Sequence, residues 1–316
     1  MPNPRVSFII PLYNEASVFP TLISRLNKLV EEIDILCEII LIDDGSDDET
    51  SFLMRELALG NPLYHCIFLS RNFGHQHAVS AGLQYSSADD VVMVLDGDLQ
   101  DPPELFFEFY KHFKLGFDVI YGVRKKRKEH YLKRMSYFLF YRILQNISNT
   151  PISLDSGDFS MISRRVTNII NQMPEDSRFL RGMRSWAGFK QIGIEYERET
   201  RAAGYPKYTI GKLIRLAYDG VFNFSFFPLK LLTFSGIFCL VLSGSYFLIT
   251  LVRKFLYNDV PVGFTALLFM IILFGGVQLI SIGIIGEYVS RIFLQVKGRP
   301  LFVVKERIKE GATVND

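Results

Sequence analysis

Three short apolar runs, at residues 6–10, 38–42 and 91–95, each give way abruptly to a polar or acidic cluster. Short apolar runs bounded by turn residues suit strands covered on both faces. A fourth run occupies residues 64–69. Between the runs lie helical patterns. Residues 17–33 carry Leu22, Leu26, Leu29 and Ile33 near helical spacing, and residues 77–85 read as another helix. Pro11 is expected to stop the first strand, and Ser46 or Asp47 to cap the helix after the second. Strands that alternate with helices need crossover connections, so the front of the chain reads as an α/β domain with a mostly parallel sheet. The strand ends of such a sheet share one edge, where open α/β folds bind their ligands. Asn14-Glu15, Asp43-Asp44 and Asp96-Gly97-Asp98 then converge on one rim. Any one of them alone reads as a polar turn. Together they put like charges on one edge, which is unfavourable without a ligand. A divalent cation between Asp96 and Asp98, bridging to a diphosphate, would neutralise both sides.

The chain has 316 residues, and its 49% hydrophobic share is concentrated toward the C-terminal third. Residues 231–252 and 263–286 are two long apolar stretches. Each has about 22 to 24 residues, enough as a helix to cross a hydrocarbon core of about 30 Å. Lys207, Lys212, Arg215 and Lys230 precede the pair, and Arg291, Lys297, Arg299, Lys305, Arg307 and Lys309 follow it. The positive-inside rule places both flanks in the cytoplasm. The segment between the soluble front and the first stretch, 211–230, mixes basic and aromatic residues and suits an interfacial helix. The expected organisation is therefore a cytoplasmic catalytic domain over 1–210, an interfacial segment over 211–230, two spans within 231–290, and a cytoplasmic tail over 291–316. Ser243, Gly244, Gly275, Gly276 and Gly283 are small enough for close helix packing, between the spans or between subunits of a homo-oligomer. Cys37, Cys66 and Cys239 have no metal-type spacing and fit a reducing compartment. The N-terminus enters a strand pattern at once, so no signal peptide is expected. A net charge of +2 gives no reason to expect nucleic-acid binding.

The segments IIPLYNE, LIDDGSDDET, LSRNFGHQHAVSAGL, LDGDLQDPPEL and RFLRGMRSWAGF together resemble the family-2 glycosyltransferases that charge a polyprenyl phosphate. Dolichyl-phosphate mannose synthases and bactoprenol glucosyltransferases are among these. The resemblance runs from about residue 5 to about residue 300, with the motifs in family order. It implies a GT-A (Rossmann-like) catalytic domain, a nucleotide-sugar donor, Mg2+ or Mn2+, a polyprenyl phosphate acceptor and a bacterial inner-membrane location. Closeness to the bactoprenol enzymes favours UDP-glucose. GDP-mannose and an aminoarabinose-type donor remain alternatives, as does a non-catalytic membrane scaffold.

The resemblance also assigns roles. Pro11, Tyr13, Glu15, Ile42 and Asp44 would border the nucleotide, with helix capping as the plainer role for Glu15 and Asp44. Asp96, Asp98 and Gln100 would hold the metal and diphosphate. Gly97 stands where relatives often have Ala, a change expected to matter little. Arg124 would meet a phosphate, or belong with Lys125–Lys128 to a solvated basic face or a patch for anionic lipid. Asp158 matches the acceptor-side acid. It is either a base or a positioning group, since a phosphate acceptor needs little help to ionise. Arg178, Arg181 and Arg184 lie at helical spacing and would clamp a diphosphate from one helix face, or form a solvated one. Arg201 and Lys207 match a mobile basic loop that Pro206 would stiffen. Polymerising relatives carry Gln-x-x-Arg-Trp; here Ser185 separates Arg184 from Trp186, which favours transfer of a single sugar. His65, His75, His77, His112 and His130 form no metal constellation, and His75 and His77 read as structural.

Overall fold

A computed structural model describes residues 4–124, 156–176, 178–197, 227–257 and 263–314. They fall into two compact units, one of residues 4–197 with 299–314 and one of residues 227–298.

The first unit is a nine-stranded mixed sheet among the described residues. Its centre is parallel: Val6–Leu12 (β1), Cys37–Asp43 (β2), Tyr64–Leu69 (β3) and Val91–Val94 (β4), in the order β4-β1-β2-β3. Phe19–Glu32 (α1), Thr50–Gly60 (α2) and His75–Tyr85 (α3) are the crossovers, and Phe106–Lys114 (α4) follows β4. Strand order reverses between β1 and β4, so the crevice of the fold opens at their carboxyl ends. Every residue of β1 is buried. With a period of two, Phe8, Ile10 and Leu12 join one core with Leu22, Leu26, Met54 and Phe106, while Ile9 joins the other with Ile42, Val79 and Leu83. Helix α3 seats closely because Gly82 has no Cβ. A methyl there would lie 2.4 Å from Ile9 Cγ2 and 2.9 Å from Ile42 Cδ1.

Two of the local expectations are corrected. Pro11 does not stop β1, which continues to Leu12 and pairs Pro11 with Ile42. Its missing N–H falls on the side facing β4, where the ladder has already ended at Ile9 and Val94, so no bond is lost. Neither Ser46 nor Asp47 caps α2. The cap position is Glu49, whose side chain makes no capping bond, and Asp48, one residue earlier, accepts the Thr50 N–H at 3.0 Å.

Beyond β4 the sheet turns mixed. Val119–Arg124 (β5), Ser156–Ser163 (β6) and Gln191–Tyr196 (β7) continue it in the order β7-β5-β6-β4. Strand β6 is antiparallel to both β4 and β5, so its first residues lie at the rim where β4 ends. Arg164–Gln172 (α5) and Leu180–Trp186 (α6) follow it and pack on the α3 face of the sheet.

The second unit holds two long helices, Phe227–Tyr257 (α7) and Phe264–Val296 (α8). Helix α7 extends past its expected span at both ends, and α8 extends past its own at the C-terminal end. Within them Phe227–Leu256 and Phe269–Val296 are both long and apolar enough to cross a membrane. Their apolar side chains point outward, as with Leu240 at 73% and Phe255 at 80% exposure. A Cβ added at Gly244, Gly275, Gly276 or Gly283 would meet nothing within 4 Å, so these glycines do not serve packing of α7 on α8. The interfacial segment lies outside the described residues as far as 226, and its last residues open α7.

Residues 291–316 do not run on as a simple tail. Helix α8 continues to Val296, and Val304–Lys309 (β8) and Ala312–Val314 (β9) return to the catalytic sheet. Strand β8 pairs antiparallel with β3, Ile308 is fully buried, and Arg55 and Glu306 form a two-pronged ion pair. The nine-stranded sheet is therefore completed by residues that follow both long helices. Ile308→Ala should lower the stability of the catalytic unit by about 2–5 kcal/mol, the usual loss for an emptied core position. Thermal unfolding of the full chain checks this, and an unchanged midpoint would show that β8 is not part of the core.

Candidate active site

The site starts from loops that stitch one strand end to the next. Asn14, at φ 53° just beyond β1, donates its N–H to Ser46 Oγ at 3.0 Å and accepts the Asp47 N–H on Oδ1 at 2.9 Å. The Glu15 N–H reaches Thr50 Oγ1 at 3.0 Å. Asp43 is buried and accepts from the Ser46 N–H and the Ser51 hydroxyl. Gly45 has φ +68°, and a Cβ there would lie 2.5 Å from the Arg71 carbonyl carbon. Only glycine fits. Much of the acidic run DDGSDD thus holds loops in place.

Asp44 does likewise. It is 3% exposed and accepts the Phe73 N–H at 2.8 Å and the Gly74 N–H at 3.0 Å. Burial pushes its carboxyl above the usual range, against the pull of those two bonds. Ile42 is wholly buried under α3, Pro11 is buried within β1, and Tyr13 and Glu15 are half-buried at the rim. Asp44 and Ile42 therefore shape the floor of the crevice, with their side chains engaged by the protein.

Beyond β4 the acidic residues crowd together. Leu99 adopts φ 56°, a left-handed conformation that costs a non-glycine residue about 1–2 kcal/mol. This turn leaves Asp98 9% exposed and lets its Oδ1 accept the Gln100 N–H at 3.2 Å. Gly97 is confined. A methyl there would meet Leu12 Cδ2 at 2.3 Å and the Pro11 carbonyl at 3.2 Å, so an alanine in this place would require Leu12 to move.

Asp158, on β6, is the hub. The Val94–Ser160 register, carried two residues along each antiparallel strand, sets Asp96 opposite Asp158. Arg181 donates to Asp158 through Nε at 2.9 Å and Nη2 at 3.2 Å, and Gln76 donates through Nε2 at 2.9 Å. His75 Nε2 lies 3.5 Å from Asp158 and 3.7 Å from Asp96. Burial alone would raise the Asp158 carboxyl, but the Arg181 charge and the His75 and Arg181 hydrogen bonds hold it well below the usual range. Asp96 goes the other way. Burial raises it to about 6, His75 opposes the rise, and Asp101, Asp158 and Asp98 add to it. His75 rises to about 9 despite its own burial, because it faces these two carboxylates.

The three arginines do not share one diphosphate-binding face, because α6 begins at Leu180 and leaves Arg178 outside it. Arg178 Nη1 donates to the Ile170 carbonyl at 2.9 Å. Arg184 is 4% exposed and braces β6 from behind, donating to Ser160 Oγ and, at 3.1 Å, to the Gly157 carbonyl. Burial lowers its pKa to about 10. Of the three, Arg181 is the one that donates to Asp158. Arg124, at the end of β5, lies 3.6 Å from Asp101 and donates to the Tyr196 hydroxyl at 3.3 Å. That hydroxyl donates to Asp101, which is 1% exposed. Arg201 and Lys207 lie outside the described residues.

Sequence reading took His75 as structural and gave no role to Gln76, Asp101 or Tyr196. Asp101 had a signal, as a third acid in LDGDLQD; the others only meet in three dimensions. Among the described residues no three His, Cys, Asp or Glu side chains gather as a metal site. The donor chemistry still fits a hard divalent cation. Asp98 lies close enough to Asp96 to help raise its carboxyl, Gln100 offers a neutral oxygen, and Mg2+ characteristically takes one or two carboxylates and completes its shell from substrate phosphates.

A family model described as Glycosyl transferase family 2 matches residues 7–169. The chain is 39% identical over 304 residues to YkcC, an uncharacterized glycosyltransferase of Bacillus subtilis (strain 168), across 95% of this chain and 93% of that one. It is 35% identical over 303 residues to the SfII prophage-derived bactoprenol glucosyl transferase of Shigella flexneri, across 96% and 98%. Among solved structures it is similar to a mannosyltransferase of Pyrobaculum calidifontis in complex with GDP-Man and Mn2+, at 18% identity and a TM-score of 0.47 over 69% of this chain and 61% of that one. With a family match over half of its length and relatives aligned almost end to end, the chain belongs to glycosyltransferase family 2, and its catalytic sheet is the GT-A fold.

Proposed function

We propose that this protein is a membrane-bound inverting glycosyltransferase that moves one sugar, glucose from UDP-glucose in the first instance, onto a polyprenyl phosphate. The observation that carries the reading is the pair of carboxylates of opposite character on one rim. Asp158 is fixed as an anion by Arg181, whereas Asp96 lies among like charges that a cation would relieve. Asp96, Asp98 and Gln100 would hold Mg2+ or Mn2+ against the donor diphosphate, and the bound ion supplies charge stabilisation for the leaving group. The Shigella relative is named for glucosyl transfer with bactoprenol, and the alignment runs through the two apolar helices.

Asp158 is a poor candidate for a general base. A base works best with a pKa near the working pH, and this carboxyl is held well below it. The acceptor does not need one, since a phosphate monoester is largely ionised near pH 7. The remaining role is electrostatic: a fixed negative charge beside the anomeric carbon as positive charge develops there. Arg181 and Gln76 engage both oxygens of Asp158, so a covalent glycosyl intermediate on it is disfavoured. Direct attack by the lipid phosphate inverts the anomeric centre and gives a β-linked product. Arg124, beside the acceptor-side strand, would face a phosphate.

Membrane attachment follows from α7 and α8. Described residues up to 197 and from 299 onward belong to one folded unit, which supports an even number of crossings. The flanking basic residues support a cytoplasmic catalytic unit, and the bacterial relatives support the inner membrane as the location.

Full-length protein in detergent, given polyprenyl phosphate and a panel of UDP- and GDP-sugars, should transfer from UDP-glucose best. Transfer from GDP-mannose or an aminoarabinose-type donor instead would move the assignment within the class. Transfer from none would favour a scaffold. Asp98→Ala and chelation should each lower transfer by about 10²–10³-fold, the scale for losing one electrostatic contact to the leaving group. Full activity of Asp98→Ala in chelator would refute the metal assignment.

Topology has its own test. With Cys37, Cys66 and Cys239 replaced by Ser, a cysteine introduced by Asn258→Cys should react with a membrane-impermeant reagent on intact cells, and one introduced by Asp48→Cys should not. The reverse pattern would invert the orientation.

A further inference from the structure

Gln76 is the second residue of α3, and both ends of its amide are engaged. Nε2 donates to Asp158 Oδ2 at 2.9 Å, and Oε1 accepts the Leu180 N–H at 3.0 Å. These partners leave one orientation for the amide, nitrogen toward the carboxylate and oxygen toward the N–H. Leu180 opens α6, and the next residue, Arg181, grips both oxygens of Asp158. A closed ring results: Gln76, Asp158, Arg181 and the main chain at Leu180.

The ring is anchored from the donor side. The N–H groups of Phe73 and Gly74, directly before α3, are held by Asp44 at the end of β2. Ser80 Oγ donates to the Gln76 carbonyl at 2.8 Å, and Gly82 lets α3 seat on Ile9 and Ile42. A chain of short contacts thus runs from the end of β2, through the first turn of α3, to a carboxylate on the opposite wall. Removing the amide would free Asp158 to rotate with Arg181 and would leave the buried start of α6 without its acceptor.

We propose that Gln76 is a positioning residue for the transfer, fixing the Asp158 carboxylate and the first turn of α6 against the donor rim without touching the reacting atoms. This inference rests on the reading under Proposed function.

The test compares Gln76→Ala, Gln76→Glu and Asp158→Asn, singly and combined, near pH 8. Glu keeps the size of Gln and the acceptor for Leu180, but sets a second carboxylate against Asp158. If Gln76 acts as a donor to Asp158, turnover falls in the order Gln, Ala, Glu, with a loss of about 10- to 100-fold in Gln76→Ala, as for a reacting group displaced by about 1 Å. Donor KM stays within about twofold, since the diphosphate contacts are untouched. Gln76→Ala with Asp158→Asn should be no slower than Asp158→Asn alone. A role in filling space would instead give Glu turnover close to Gln, and multiplying losses in the double variant; either result overturns the proposal. Wild-type protein that transfers no sugar overturns the functional reading instead. The ring is then read by thermal unfolding of the same variants. The double variant should lose less stability than the two singles together, and strict additivity would show that Gln76 and Asp158 are not coupled.

Discussion

The bidentate pair between Arg181 and Asp158 is the contact on which the rim depends. Strand β6 enters the sheet antiparallel beside β4, and its register aims Asp158 at Asp96. Two carboxylates set opposite each other repel, and burial strengthens the repulsion. The fold answers with cations from two directions: Arg181 from α6, and His75 from the start of α3, between the two acids. Arg184 braces the same strand from behind through Ser160 and Gly157. Take away Arg181, and the buried Asp158 would keep only His75 and Gln76 beside it, so β6 would be destabilised.

That arrangement separates the two acids chemically. Asp158 is locked as an anion, and Asp96 is raised to about 6. Pairs of titratable groups pushed apart in this way mark a division of roles. A permanent anion suits a developing positive charge at an anomeric carbon. An acid raised by its acidic neighbours suits a site that gains a cation together with its substrate. Both features belong to one crevice because the parallel strands end where antiparallel β6 begins.

The parallel half of the sheet was legible because its strands are buried on both faces and so read as unbroken apolar runs. Pro11 misled because the direction of its missing N–H depends on where a neighbouring strand stops. The convergence of acids on one rim was legible from topology. Their division of labour was not, since DDGSDD gives no sign that Asp43 and Asp44 hold loops while Asp96 and Asp98 stand in the crevice. Arginine spacing suggested a single face, but spacing cannot show that the helix starts after Arg178. Strand β8 was hidden for another reason. VKERIK is charged and follows a long apolar helix, so it reads as a solvated tail, and only Ile308 enters the core.

The ionisation of Asp158 tests the account most directly. Full-length protein in detergent, labelled with 13C at aspartate carboxyls and with the Asp158 signal identified by its loss in Asp158→Asn, can be titrated downward from neutral pH. The account predicts that this carboxyl stays ionised well below the ordinary aspartate value of about 3.9, until the protein unfolds. A midpoint near or above 6 would contradict it, and would return Asp158 to the role of a base.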